Sequence, residues 1–376
     1  MTIIAIALDA LPFILVVIGR LLVPMLIPVY PLPGIIAAML LDLRDQVAFL
    51  ASGIGGVGDY QAYDKAFDIY CLAIAYTATL RNWVGRDAFV LGRALWYYRL
   101  VGVALFEYIG ARWLLLLFAN TFEYYFAFIE AIKVARNPFV LPTRRLAMIA
   151  AFIWIVVKVP QEWSLHVAQT DLGDALREHV FGVPASSPWS VAIENRPAAA
   201  LALGLLAAAA VLALREIWRW LPPRSWEPTF SADAQLRNLG REIPHIRMAP
   251  PAFFGWIFVE KAILVSLVTL SFSRILPGHR NAFEVAIGTT AVIAATTFIS
   301  HALARRGITW GSVVAEFVVV GVTIAGIGVA VNWFFADLGS RTPPAAFLFL
   351  TLLMTLIVVL FDRYKWIQKH WERRPG

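Results

Sequence analysis

Asp42 and Asp45 lie three apart in the apolar stretch GIIAAMLLDLRDQVAFLAS, and Asp64 and Asp68 lie four apart in the next one, DYQAYDKAFDIYCLAIAY. At helical pitch each pair shares one face. Gly53, Gly55, Gly56 and Gly58 fall between the two stretches. A short glycine-rich turn makes such helices antiparallel neighbours, so the two acidic faces are expected to converge. Each carboxylate costs about 2.5–3.5 kcal/mol at mid-bilayer before mutual repulsion is added. A hard divalent cation with oxygen ligands, Mg²⁺ or Mn²⁺, offsets that. Pairing with Arg44, Lys65, Arg93 and Arg99 is the other solution, and the spacing leaves both open.

Over about residues 12–170 the chain resembles the CDP-alcohol phosphatidyltransferases, whose signature is D-x2-D-G-x2-A-R-x8-G-x3-D-x3-D. Asp42-Leu43-Arg44-Asp45 matches its opening, and Asp64-Lys65-Ala66-Phe67-Asp68 matches its close, displaced by one residue. A first helix with Arg20 ahead of Pro24 and a fourth with Arg93 and Arg99 agree with that context. Gln46 stands where the family has Gly, Phe49 and Leu50 where it has Ala-Arg, and Tyr60 where it has its second Gly. The resemblance implies a transferase making a phosphodiester lipid or a related envelope component. In it Asp42, Asp45 and Asp64 hold one or two divalent ions and Asp68 is the general base toward an alcohol. Arg93, Arg99 and Lys65 then compensate phosphate charge, and Glu123, among Thr121, Tyr124 and Tyr125, lines a polar cavity for the substrate.

The elements that position these residues are membrane helices. Of 376 residues 60% are hydrophobic and 15% charged, and mean hydropathy is +0.71, outside the range of soluble globular chains. The net charge of +7 comes from arginines in the connections between apolar runs, which points to membrane topology and not to nucleic acid. Cys71 is the only cysteine, so no intrachain disulfide forms. The first apolar run has no cation before Arg20, so no cleaved signal peptide is expected. The Walker, dinucleotide, HExxH and nucleophile-elbow motifs do not occur.

The expected fold is all-α and polytopic, with about 11 transmembrane helices. A six-helix, phosphatidyltransferase-like front module (1–170) carries the acids. An amphipathic extramembrane linker (171–196) containing DLGDALREHVF leads to a five-helix back module (197–376), with spans near 198–221, 252–275, 281–304, 311–336 and 344–362. The fifth span, from Arg112 to about Lys133, puts Asn120, Glu123 and Glu130 on one stripe, and Glu130 with Lys133 reads as an interfacial ion pair. Glu260, Lys261 and His301 read first as packing contacts within the back module. The arginine-rich connections at 136–145 and 215–247 and the tail RYKWIQKHWERRPG share one side, which the positive-inside rule makes cytoplasmic, C-terminus included. An integral cell-membrane protein with membrane lipids as partners, open to oligomerisation, follows. Two other functions fit the same acids: an ion-coupled transporter in which no bond breaks, and a catalytically inactive scaffold.

Overall fold

A computed structural model describes residues 14–52, 57–111, 113–164, 172–239, 241, 255–273, 282–305, 313–334 and 344–372. Among these residues the chain is helical with no strands. Five segments are long and apolar enough to cross a membrane: Arg86–Phe106, Trp113–Lys133, Thr143–Trp163, Pro197–Trp220 and Phe347–Glu372. The chain forms two compact units, 1–84 with 229–376 and 85–228.

The first unit contains α1 (Ile14–Leu26), α2 (Pro31–Ser52), α3 (Val57–Asn82), α12 (Ala232–Asn238), α13 (Trp256–Ser273), α14 (Ala282–Arg305), α15 (Val313–Phe334) and α16 (Pro344–Glu372). α1 ends in a 3₁₀ turn, where Pro24, lacking an N–H, accepts from Ile27 N at 3.0 Å. α3 is the hub of the unit. From Ala66 to Leu80 nearly every side chain on it is buried, because α2, α13 and α16 pack against it. Phe67 and Tyr70 meet Phe272 of α13 edge-on at 5.3 and 6.4 Å, and Phe349 of α16 joins the same ring at 5.2 Å. The far end of α3 is tied down by polar contacts. Arg81 Nη1 and Asn82 Nδ2 both donate to Pro28 O, at 2.8 and 3.0 Å, Arg81 pairs with Asp233 of α12, and Trp371 Nε1 donates to Arg81 O at 3.1 Å. The helix runs on to Asn82.

The second unit contains α4 (Arg86–Ile109), α5 (Trp113–Leu117), α6 (Thr121–Lys133), α7 (Thr143–Ile153), α8 (Val159–Trp163), α9 (Leu172–Ala175), α10 (Trp189–Asn195) and α11 (Pro197–Trp220). The expected continuous helix from Arg112 to Lys133 is broken between α5 and α6. Gly102 allows the break: a Cβ there would lie 2.0 Å from Phe118 Cβ, so only glycine lets α4 pass that close. α7 and α8 are joined by a π-helical turn, Trp154–Lys158, whose bond from Val159 N to Trp154 O spans five residues. Pro160 removes a donor just beyond, and the wider turn carries the helix on to Trp163. The segment DLGDALREHVF is helical from Leu172 to Phe181 and stops at Gly182, φ 68°.

The five apolar runs expected from 197 onward appear as α11 and α13–α16. Of the front helices, α3 packs directly against α13 and α16, and 85–228 forms the other unit. Hydropathy locates spans but carries no record of which spans touch.

Candidate metal centre

The two acidic faces converge on a residue of α1. Arg20 Nη2 donates to Asp42 Oδ1 at 2.6 Å and to Asp68 Oδ1 at 3.0 Å, its Nη1 donates to Asp64 Oδ1 at 3.2 Å, and Asp45 pairs with the same guanidinium. Spacings of three on α2 and four on α3 put each pair of carboxylates on the side facing Arg20. Tyr63 and Phe67 flank the guanidinium, with ring centroids 5.6 and 5.4 Å away.

The cluster is graded in exposure. Arg20 and Asp45 retain 5% and 0% of their side-chain accessibility, whereas Asp42, Asp64 and Asp68 retain 43%, 31% and 29%. Asp45 is thus the buried anchor of Arg20, and the other three form a rim. One oxygen from each of Asp42, Asp64 and Asp68 lies within 4.8 Å of the other two. A hard cation bound at about 2.0–2.6 Å holds its oxygen ligands at separations of this size. The donor set is all oxygen, which suits Mg²⁺ or Mn²⁺. Arg20 contacts all four carboxylates, and Lys65 lies beside Asp64.

A second ionic network lies in the same unit. Glu260 pairs with Lys365 at 3.1 Å, Lys261 with Asp362 at 3.0 Å and Glu316 with Arg363 at 3.2 Å, linking α13, α15 and α16. Tyr76 donates to Glu260, and Lys261 Nζ also donates to Thr297 Oγ1 at 3.0 Å. These pairs tie α13, α15 and α16 together.

The structure regroups the expected ligands: the mutually close set is Asp42, Asp64 and Asp68, while Asp45, expected among the ligands, stands behind it. Lys65 lies on α3, half-buried beside Asp64. Arg93, Arg99 and Glu123 belong to the second unit and have contacts there. Arg93 lies over the Tyr97 ring at 5.7 Å. Arg99 Nη1 donates to Phe118 O at 3.0 Å, a carbonyl left by the break between α5 and α6. Glu123 Oε2 accepts from Asn120 Nδ2 at 3.0 Å and lies 3.9 Å from Lys158 Nζ. Glu130 and Lys133 do pair, at 2.8 Å, but are 1% and 2% accessible and so buried, not at an exposed rim.

Gly53, Gly55, Gly56 and His166 lie outside the described residues, as do the side chains of Arg44, Glu107 and His301; Gly58 lies in α3. The partner that sequence reasoning missed is Arg20, which it took only as context. The available signal was a lone cation in the first apolar run, one helix before the four acids, since a buried cation must find anions. No protein-family profile, no curated protein and no solved structure matches this chain.

Proposed function

We propose that the cluster is the active site of a divalent-metal-dependent phospho-alcohol transferase acting on a lipid, in an integral membrane protein whose C-terminus is cytoplasmic. About eleven spans are read from α1, α2, α3, α4, the α5–α6 and α7–α8 pairs, α11 and α13–α16; the first six correspond to the phosphatidyltransferase-like module and the last five to the back module. The observation that carries the reading is the rim of Asp42, Asp64 and Asp68, one oxygen of each lying within 4.8 Å of the other two. In this reading Asp42 and Asp64 hold the ion, and Asp45 fixes Arg20. A bound divalent ion supplies charge neutralisation at a phosphodiester. Asp68, open at the rim, accepts the proton of an alcohol hydroxyl. The alcohol oxygen forms the new P–O bond, the P–O bond to the departing group breaks, and its electron pair leaves with that group.

Arg20 favours a second reading. A resident guanidinium among the carboxylates is a cation that an incoming cation can displace, and that exchange is the elementary step of an ion-coupled transporter. Two measurements on purified protein separate the readings. Millimolar Mg²⁺ or Mn²⁺ should raise the thermal midpoint of the wild type, and Asp64→Asn should lose most of that rise. Mass spectrometry after incubation with the metal and a membrane lipid extract should show a new phosphodiester lipid. A midpoint indifferent to both metals, with and without lipid, sinks the metal site. A metal response with no lipid product, but with ion flux in proteoliposomes, selects the transporter.

A further inference from the structure

One end of the second unit collects arginines that, among the described residues, outnumber the acids beside them. The connection from α6 to α7 and the end of α11 meet there. Arg136 forms an isolated antiparallel bridge with Pro223, Asn137 N donates to Pro222 O at 3.0 Å, and the buried Trp226 donates from Nε1 to Lys133 O at 3.2 Å. The guanidinium of Arg136 lies over Trp218 at 4.9 Å, and that of Arg145 lies over Trp220 at 5.7 Å. Arg144, Arg215 and Arg219 are exposed, Arg136 and Arg224 are half-buried, and Trp218 is 43% accessible.

Nearby acids account for little of this charge. Glu130 is taken by Lys133, and Asp87 accepts from Thr143 N at 3.0 Å at the start of α7. Glu216 accepts from Trp220 Nε1 at 3.0 Å and lies 3.5 Å from Arg219. Helix dipoles do not call for the arginines either. α4 and α7 begin at this end while α6 and α11 finish there, so two positive and two negative termini offset each other.

We infer that this end is a docking surface for the headgroups of anionic phospholipids. It sits at the ends of the apolar spans Trp113–Lys133 and Pro197–Trp220, the depth at which a bilayer presents phosphates and at which tryptophan settles. Indole faces hold Arg136 and Arg145 in place, and a stacked guanidinium keeps its in-plane N–H fork for a phosphate. The charge complements an anionic headgroup, and clustered cations beside a span are what such lipids attract. The inference does not depend on the metal site, which lies in the other unit.

The test is lipid selection by the full-length purified chain. The protein is reconstituted in an equimolar mixture of phosphatidylglycerol and phosphatidylcholine, re-extracted in mild detergent, and its retained lipid is counted by native mass spectrometry. The wild type should retain phosphatidylglycerol preferentially. Arg136→Gln with Arg145→Gln should lower the preference by about fivefold per arginine, the factor expected for a cation near a bilayer surface. Arg144→Gln with Arg215→Gln, both exposed, provides a pair of substitutions that spares the packing. Arg177→Gln is the control: that guanidinium also lies over a tryptophan, Trp189 at 4.4 Å, but it is paired with Asp174 at 2.8 Å, and the preference should survive its loss. Equal retention of the two lipids by the wild type overturns the inference. So does an unchanged preference in both double variants, or abolition of the preference by millimolar inorganic phosphate at constant ionic strength, which would show a site for a free anion.

Discussion

Arg20 decides what the four aspartates can do. Alone, four carboxylates this close would not all stay ionised in an apolar setting; Arg20 contacts all four of them and Lys65 lies beside Asp64. Arg20→Met should therefore destabilise the protein by about 3–5 kcal/mol, the loss expected when one partner leaves a buried ionic cluster. Its thermal midpoint should respond to Mg²⁺ more steeply than that of the wild type, because the variant removes the resident cation from among the carboxylates. If the variant is destabilised yet no more responsive to metal, the carboxylates serve Arg20 alone. Asp45→Asn and Asp42→Asn divide the same question. Asp45 is fully buried against Arg20 and Asp42 is on the open rim, so the first should cost about 1–3 kcal/mol and leave most of the metal response. The second should cost less stability and remove the response. The convergence was legible in the sequence because spacings of three and four dictate a shared face. The assignment of ligand and anchor was not, since exposure depends on what packs behind α2 and α3, and nothing in the acid spacing reports that.

Helices α5 to α8 show why an apolar run does not by itself fix an element. Trp113 to Lys133 reads as one span, yet the structure turns at Phe118–Asn120, where Tyr98 donates to Leu117 O and Arg99 to Phe118 O. The turn is possible because Gly102 leaves room for Phe118. Gly102→Ala should then cost about 1–3 kcal/mol, the usual penalty for overpacking, seen as a lower thermal midpoint; an unchanged midpoint would mean the two helices do not approach this closely. In α13, Glu260 and Lys261 are adjacent in sequence and read as packing contacts, but neighbours on a helix point apart. They reach different residues of α16, Lys365 and Asp362, which sequence inspection cannot pair because each end carries charges of both signs side by side, Glu260-Lys261 and Asp362-Arg363-Tyr364-Lys365. Since Lys261 and Asp362 form a pair, Lys261→Met alone should destabilise by about 3–5 kcal/mol, and Lys261→Met with Asp362→Leu should recover most of it. Chemical unfolding of the two variants in detergent checks this. Failure of the second substitution to restore stability would give Asp362 a role other than balancing Lys261.

For the whole molecule the informative quantity is where charge collects relative to the spans. In the second unit α4 and α7 start, and α6 and α11 finish, at one end, which carries Arg86, Arg136, Arg144, Arg145, Arg215 and Arg219 against few acids. The other end, around α9 and α10, has Arg177 and Arg196 set against Asp174, Glu178 and Glu194. Short connections rich in arginine stay on the cytoplasmic side, and the contacts between the α6–α7 connection and the residues after Trp220 require both to lie on the same side, whichever it is. Single cysteines in a Cys71→Ala background test the assignment. Val140→Cys and Ser225→Cys, both at exposed positions at the arginine end, should resist a membrane-impermeant maleimide in intact cells and react once the membrane is permeabilised. Ser187→Cys, between α9 and α10, should react from outside. Labelling of Val140→Cys and Ser225→Cys on opposite sides would break the connection between the α6–α7 loop and the end of α11, and with it the docking surface. Labelling of both from outside would keep that surface intact but turn it toward the external leaflet, removing the cytoplasmic assignment of these loops.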